Sequence, residues 1–162
     1  MTLTRAAILA GLIGLALVFA AREQIWVILA GPADQGAVDF ANITRSGKPN
    51  DFLMCPKDLC ADADAQAPVF PLSADELRAS LHASLQNEPH LTRMDETTSA
   101  ERYVQKTALM RFPDTISVRF IALSATTSTI AIYSRSRLGY SDLGVNKARV
   151  ERWVAALSEQ NP

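Results

Sequence analysis

Apolar and polar positions divide the chain into three stretches of different pattern. Residues 6–21 form an uncharged, mostly apolar run, preceded by Arg5 and interrupted by Arg22, Glu23 and Gln24. Apolar character resumes in Ile25-Trp26-Val27-Ile28-Leu29-Ala30 and stops at Gly31-Pro32. A run without a polar face does not suit a surface helix of a soluble domain. It makes about 24 Å of helix against a hydrocarbon layer of about 30 Å. A span must therefore continue past Arg22, which can snorkel, with Trp26 at the interface. Residues 1–30 are expected to form an N-terminal membrane anchor. A cleaved signal segment ending near Val18-Phe19-Ala20 and a buried core helix are the rivals.

Residues 31–68 are rich in Gly, Pro, Asp, Asn and Ala without periodicity, and predict an extended connector partly packed on the domain. Residues 69–160 carry the regular patterns of a globular domain. Val69-Phe70 predicts a short strand. Ser73 and Glu76 form a capping box opening a helix whose Leu77, Leu81 and Leu85 share one face, and Glu88-Pro89 ends it. Strand-like runs follow at 102–112, 116–123 and 129–137, with Pro113-Asp114 read as a turn. A last helix starts near Ser141-Asp142 and sets Val150, Trp153, Val154 and Leu157 on one stripe. Short connections between strands imply antiparallel pairing. The expected fold is α+β: an antiparallel sheet of three to four strands with two helices on one face, preceded by an N-terminal transmembrane helix.

A length of 162 residues fits one domain. A net charge of −1 argues against a nucleic-acid partner, but it hides an asymmetry. Residues 34–101 hold twelve acidic and five basic side chains; residues 102–153 hold nine basic and three acidic. Either the two halves neutralise each other, or the second half faces an anion.

The only cysteines, Cys55 and Cys60, sit in a short polar loop, as a local disulfide in an exported protein would. Zinc would need two further ligands, and His82 and His90 are not spaced as a pair for it. The C-x4-C spacing is not that of a redox-active pair. Arg5 and the amino terminus precede the apolar run, whereas Arg22 and Glu23 cancel after it. Positive-inside bias then puts the N-terminus in the cytoplasm. The expected location is the inner (cytoplasmic) membrane, single-pass, with the soluble domain in the periplasm.

The stretch from Ile130 to Trp153, with Ser134-Arg135-Ser136-Arg137 and Gly139-Tyr140-Ser141-Asp142-Leu143-Gly144-Val145-Asn146, resembles a family of proteins of unknown function, DUF1499. Tyr103-Val104-Gln105 and Phe112-Pro113-Asp114 fit it too, and the likeness covers roughly residues 45–158. The resemblance implies an exported or membrane-tethered protein of the bacterial or plastid envelope type, and implies no reaction. Many members have an Asn-Cys-Val-Ser-Ser-like motif where this chain has Leu59-Cys60-Ala61-Asp62.

Strand alternation sets Tyr133, Arg135 and Arg137 on one face and Ile132, Ser134 and Ser136 on the other. Arg119 or Arg111 on neighbouring strands would extend a guanidinium row suited to phosphate or carboxylate. Ser141, Asp142 and the helix start behind them would add donors. The expected ligand is an anionic lipid or small molecule. The competing reading pairs these arginines with the acidic half, with Asp142 and Asn146 shaping the turn and capping the helix. No G-x-S-x-G, H-E-x-x-H, P-loop or G-x-G-x-x-G occurs, so no catalytic residue, metal site or cofactor is assigned. A motif-free hydrolase and a structural envelope protein are the alternatives; the hydrolase would need a pocket holding Asp142 or a histidine.

Overall fold

The computed structural model describes residues 3–97 and 99–161. Helix α1 (Leu3–Ala20) breaks at Ala21 into α2 (Arg22–Ala30). Strands β1 (Asp51–Cys55), β2 (Ala65–Gln66) and β3 (Val69–Phe70) precede α3 (Ala74–Leu85). Strands β4 (Leu91–Glu96), β5 (Ala100–Lys106), β6 (Pro113–Ala122) and β7 (Ser128–Ser136) lead to α4 (Val145–Gln160). The sheet runs β2-β1-β7-β6-β5-β4, with β3 also pairing β7. All pairings are antiparallel except β1 with β2.

The sheet is thus seven-stranded and mixed, not the expected three to four antiparallel strands. The largest addition is β1, and its invisibility has a physical cause. Phe52 and Met54 enter the core under the helices, whereas Leu53 and Cys55 enter a second core on the opposite face. A strand buried on both sides loses the apolar–polar alternation that marks a half-exposed one. β2 and β3 have two residues each, too few for any period to register. The expected run at 102–112 is cut short because β5 ends at Lys106, and Pro113-Asp114 opens β6 instead of forming a turn.

The expected transmembrane helix is also corrected: no single helix is long and apolar enough to cross a membrane. The chain bends by 59° between Thr4–Ala20 and Arg22–Ala30. At the break, Arg22 and Glu23 bind residues of the folded domain. The Arg22 guanidinium donates to the carbonyls of Phe19 (2.5 Å) and Leu109 (3.0 Å), and Glu23 receives Lys106 (2.5 Å) and Arg111 (2.7 Å). Trp26 packs on Phe112, ring centroids 4.8 Å apart, and donates its indole N–H to the Met110 carbonyl at 2.6 Å. Helix α2 is therefore docked on the turn between β5 and β6.

The capping box holds at the start of α3: the Ser73 hydroxyl accepts from the Glu76 N–H, and the Glu76 carboxylate accepts from the Ser73 N–H at 2.9 Å. Leu77, Leu81 and Leu85 then meet Val150, Trp153, Val154 and Leu157 of α4 over Ile116, Val118, Phe120, Ile130 and Ile132. Truncating a fully buried leucine here, such as Leu81, would cost about 2–5 kcal/mol. The opposite face is covered by the segment preceding β1. Phe40, with Val38 and Ile43 beside it, packs on Leu53, Ala131 and Tyr133. Cys55 and Cys60 join in a disulfide at the rim of this second core.

Candidate functional site

The last residues of β7 face two ways. Ser134 and Ser136 point under α4 into a closed polar network. The Asn146 carboxamide accepts from the Ser134 hydroxyl (2.6 Å) and donates to the Ser136 hydroxyl and the Asn50 carbonyl, both at 3.0 Å. Arg149 donates to Ser134 (2.8 Å), Asn146 (2.6 Å), Gln105 (2.5 Å) and the Asp114 carboxylate (2.6 Å). Asn50, Asp114, Ser134, Asn146 and Arg149 are all buried, so each polar atom needs these partners. The network pins the strand end to α4 and to the residue preceding β1.

Tyr133, Arg135 and Arg137 point to the opposite face. They line an open hollow of about 450 Å³ together with Arg45, Lys48, Asn50 and Asp51. The Asp51 carboxylate is committed: it accepts from the Tyr133 hydroxyl at 2.7 Å and pairs with Arg45, which also reaches Asp64 at 2.9 Å. Burial, reinforced by the bond to Asp51, pushes the Tyr133 phenol well above its ordinary value, so this hydroxyl is a donor at neutral pH.

The arginine row differs in charge balance from the other basic residues of the C-terminal half. Arg102 pairs with Asp34 (2.8 Å), Lys106 and Arg111 with Glu23, Lys147 with Glu151 (3.8 Å), Arg149 with Asp114, and Arg152 with Glu88. Among the described residues, Arg135 and Arg137 have no such carboxylate, and Arg119 has only the field of Asp39. Arg135 donates to the carbonyls of Gln35 (3.0 Å) and Gly36 (3.2 Å), and its buried Nε has no hydrogen-bond partner. Arg137 donates to the Ala30 carbonyl at 2.6 Å. A carbonyl orients a guanidinium without cancelling its charge. Two oriented cations therefore share one hollow with Arg45 and with Lys48, an exposed lysine that forms no ion pair among the described residues.

The other sequence candidates fall elsewhere. Arg119 lies on the same face, opposite Ala131, beside Asp39 and outside the hollow. Ser141 and Asp142 line a separate cleft beyond Gly139. Asp142 caps α4, accepting from Gly144 N–H (3.0 Å) and Asn146 N–H (2.8 Å) with its two oxygens, and Ser141 accepts from Leu143 N–H. His82 binds the buried Glu101 carboxylate at 2.7 Å, with Tyr103 on the other oxygen. Arg45, Lys48, Asn50 and Asp51 were missed in the sequence because nothing marks a loop residue as facing β7. The only signal was the turn-rich Ser46-Gly47-Lys48-Pro49-Asn50 immediately before a strand.

Fold and site define a class: an α+β domain of mixed sheet topology that presents a cationic hollow at one strand end. The chain belongs to the DUF1499 family, proteins of unknown function, whose model matches residues 43–157. That span holds every named residue of the hollow. Comparison with curated proteins finds no match.

Proposed function

We propose that this protein is a membrane-associated binding protein that holds an anionic group in the hollow of Arg45, Lys48, Arg135 and Arg137. The observation that carries the reading is the charge count. Lys48, Arg135 and Arg137 line the hollow without a carboxylate partner among the described residues, and the one lining carboxylate, Asp51, is already bound to Arg45 and Tyr133. Guanidinium forks and an ammonium match the oxygens of a phosphate or carboxylate.

Membrane association is supported by α1, whose Ile8, Leu12, Leu15, Leu17 and Val18 are all more than half exposed. Apolar surface of that extent is unfavourable in water and favourable in lipid. The disulfide suits an oxidising, exported location such as the periplasmic face of an inner membrane.

Titration calorimetry of the full chain in phosphatidylcholine nanodiscs with glycerol 3-phosphate tests the binding reading. Lys48→Gln and Arg135→Gln should each weaken binding about tenfold or more, the worth of one charge-assisted hydrogen bond. Absence of binding, or unchanged affinity in both variants, overturns it.

A further inference from the structure

We infer that the anionic group is the head of an amphipathic lipid, whose chain lies in the apolar cleft on the other side of Leu138-Gly139. The inference rests on the anion reading above and extends it to a ligand class. The cleft has a volume of about 250 Å³, and its wall is mostly apolar: Phe112, Leu138, Leu143 and Val145. Ser136, Leu138 and Gly139 line both the cleft and the basic hollow, so the two share a wall. The cleft's carboxylates are spent, Asp142 on the α4 backbone and Asp114 on Arg149, leaving little to bind a second polar group.

The rim points the same way. Leu143 is 94% exposed, and Tyr140, between the lining residues Gly139 and Ser141, is 73% exposed; neither contributes to either core. Large apolar side chains held this far into solvent mark a surface that meets something apolar. Location decides what that is. Phe112 of the cleft packs against Trp26 of α2 at a tilt, and Arg137 of the hollow holds the Ala30 carbonyl at the end of α2. Both compartments therefore adjoin the helix that continues the exposed apolar α1. A ligand leaving a bilayer along α1 reaches them first, and a free sugar phosphate would leave the apolar cleft unused.

The test compares two water-soluble probes, glycerol 3-phosphate and dihexanoyl phosphatidic acid, on the full chain in phosphatidylcholine nanodiscs, with empty nanodiscs subtracted. The lipid should bind at least about tenfold tighter, since each methylene taken from water adds roughly fourfold. Leu143→Asn, which removes the apolar side chain without adding charge, should reduce that advantage to within about threefold and leave glycerol 3-phosphate binding unchanged. Position 143 tolerates the change, being solvent-exposed with a φ of 55°, a left-handed conformation that Asn adopts more readily than Leu. Equal affinity for the two probes overturns the lipid inference and leaves the anion reading standing. Loss of both ligands in the unmodified chain overturns both. A tenfold gap that survives Leu143→Asn overturns the assignment of the chain to this cleft.

Discussion

Arg149 of α4 and Asp114 of β6 form an ion pair, Nη2 to Oδ2 2.6 Å, with side chains only 5% and 6% exposed. Every remaining polar contact of this guanidinium is also internal, to Gln105, Ser134 and Asn146. Leaving one buried charge without its partner costs about 3–5 kcal/mol, whereas removing both costs less. Arg149→Met is therefore expected to lower unfolding stability by about 3 kcal/mol or more. The double variant Asp114→Leu/Arg149→Met should lose less than the sum of the singles. Urea unfolding of the four proteins measures this, and strictly additive losses would show that the pair is not coupled.

Asp142 acts on the backbone. Its two carboxylate oxygens satisfy two N–H groups at the start of α4, so Asp142→Ala should cost about 1–2 kcal/mol. Asp142→Asn, which keeps one acceptor, should cost less. Faster amide exchange at Gly144 and Asn146 in the alanine variant is the local readout; unchanged exchange there would refute the capping role.

The docking of α2 depends on pH through Glu23. Hydrogen bonds from Lys106 and then Arg111 lower its pKa from 4.5 to about 2. A carboxylate with a depressed folded value stabilises fully above its unfolded value and loses that contribution as the pH falls through the folded one. α2 should therefore loosen from the 107–112 turn between about pH 4.5 and 2, and Glu23→Gln should loosen it at neutral pH. Trp26 fluorescence and its dependence on salt report the change. A Trp26 signal that ignores both pH and the substitution would mean that the aromatic contact with Phe112 holds α2 alone.

Tyr133 gives a signal at the alkaline end. Its phenol is raised from 10.0 by burial and by Asp51, so its contribution is complete below about pH 10 and lost as pH climbs through the folded value. Ultraviolet difference titration of the protein against Tyr133→Phe should find no Tyr133 phenolate near pH 10 while the fold persists. It should appear with alkaline unfolding. A native-state phenolate at that pH would show that the hydroxyl is open to water.

Local order was readable where it is encoded locally. The Ser73–Glu76 box and the Leu77, Leu81, Leu85 stripe need only neighbours within two helical turns, and α3 forms where they predict. Alternation along β7 likewise separated Tyr133 and Arg135 from Ile132 and Ser134, because successive side chains of a strand must point to opposite faces. β1 carried no such pattern, since its two faces are buried in two different cores. The apolar run at the N-terminus read as a continuous span, and it breaks where Arg22 and Glu23 find partners 80-odd residues away.

The sequence by itself determined the family, the cysteine pair, the face on which Arg135 and Arg137 lie, and the excess of cations after residue 101. Tertiary structure alone decided which of those cations keep their charge unmatched. Arg102, Lys106, Arg111 and Arg149 meet carboxylates, whereas Arg135 and Arg137 meet carbonyls, and Lys48 joins them from before β1. Net charge is a sum over the chain, but a binding field depends on which opposite charge lies within a few ångströms, and only folding sets that distance.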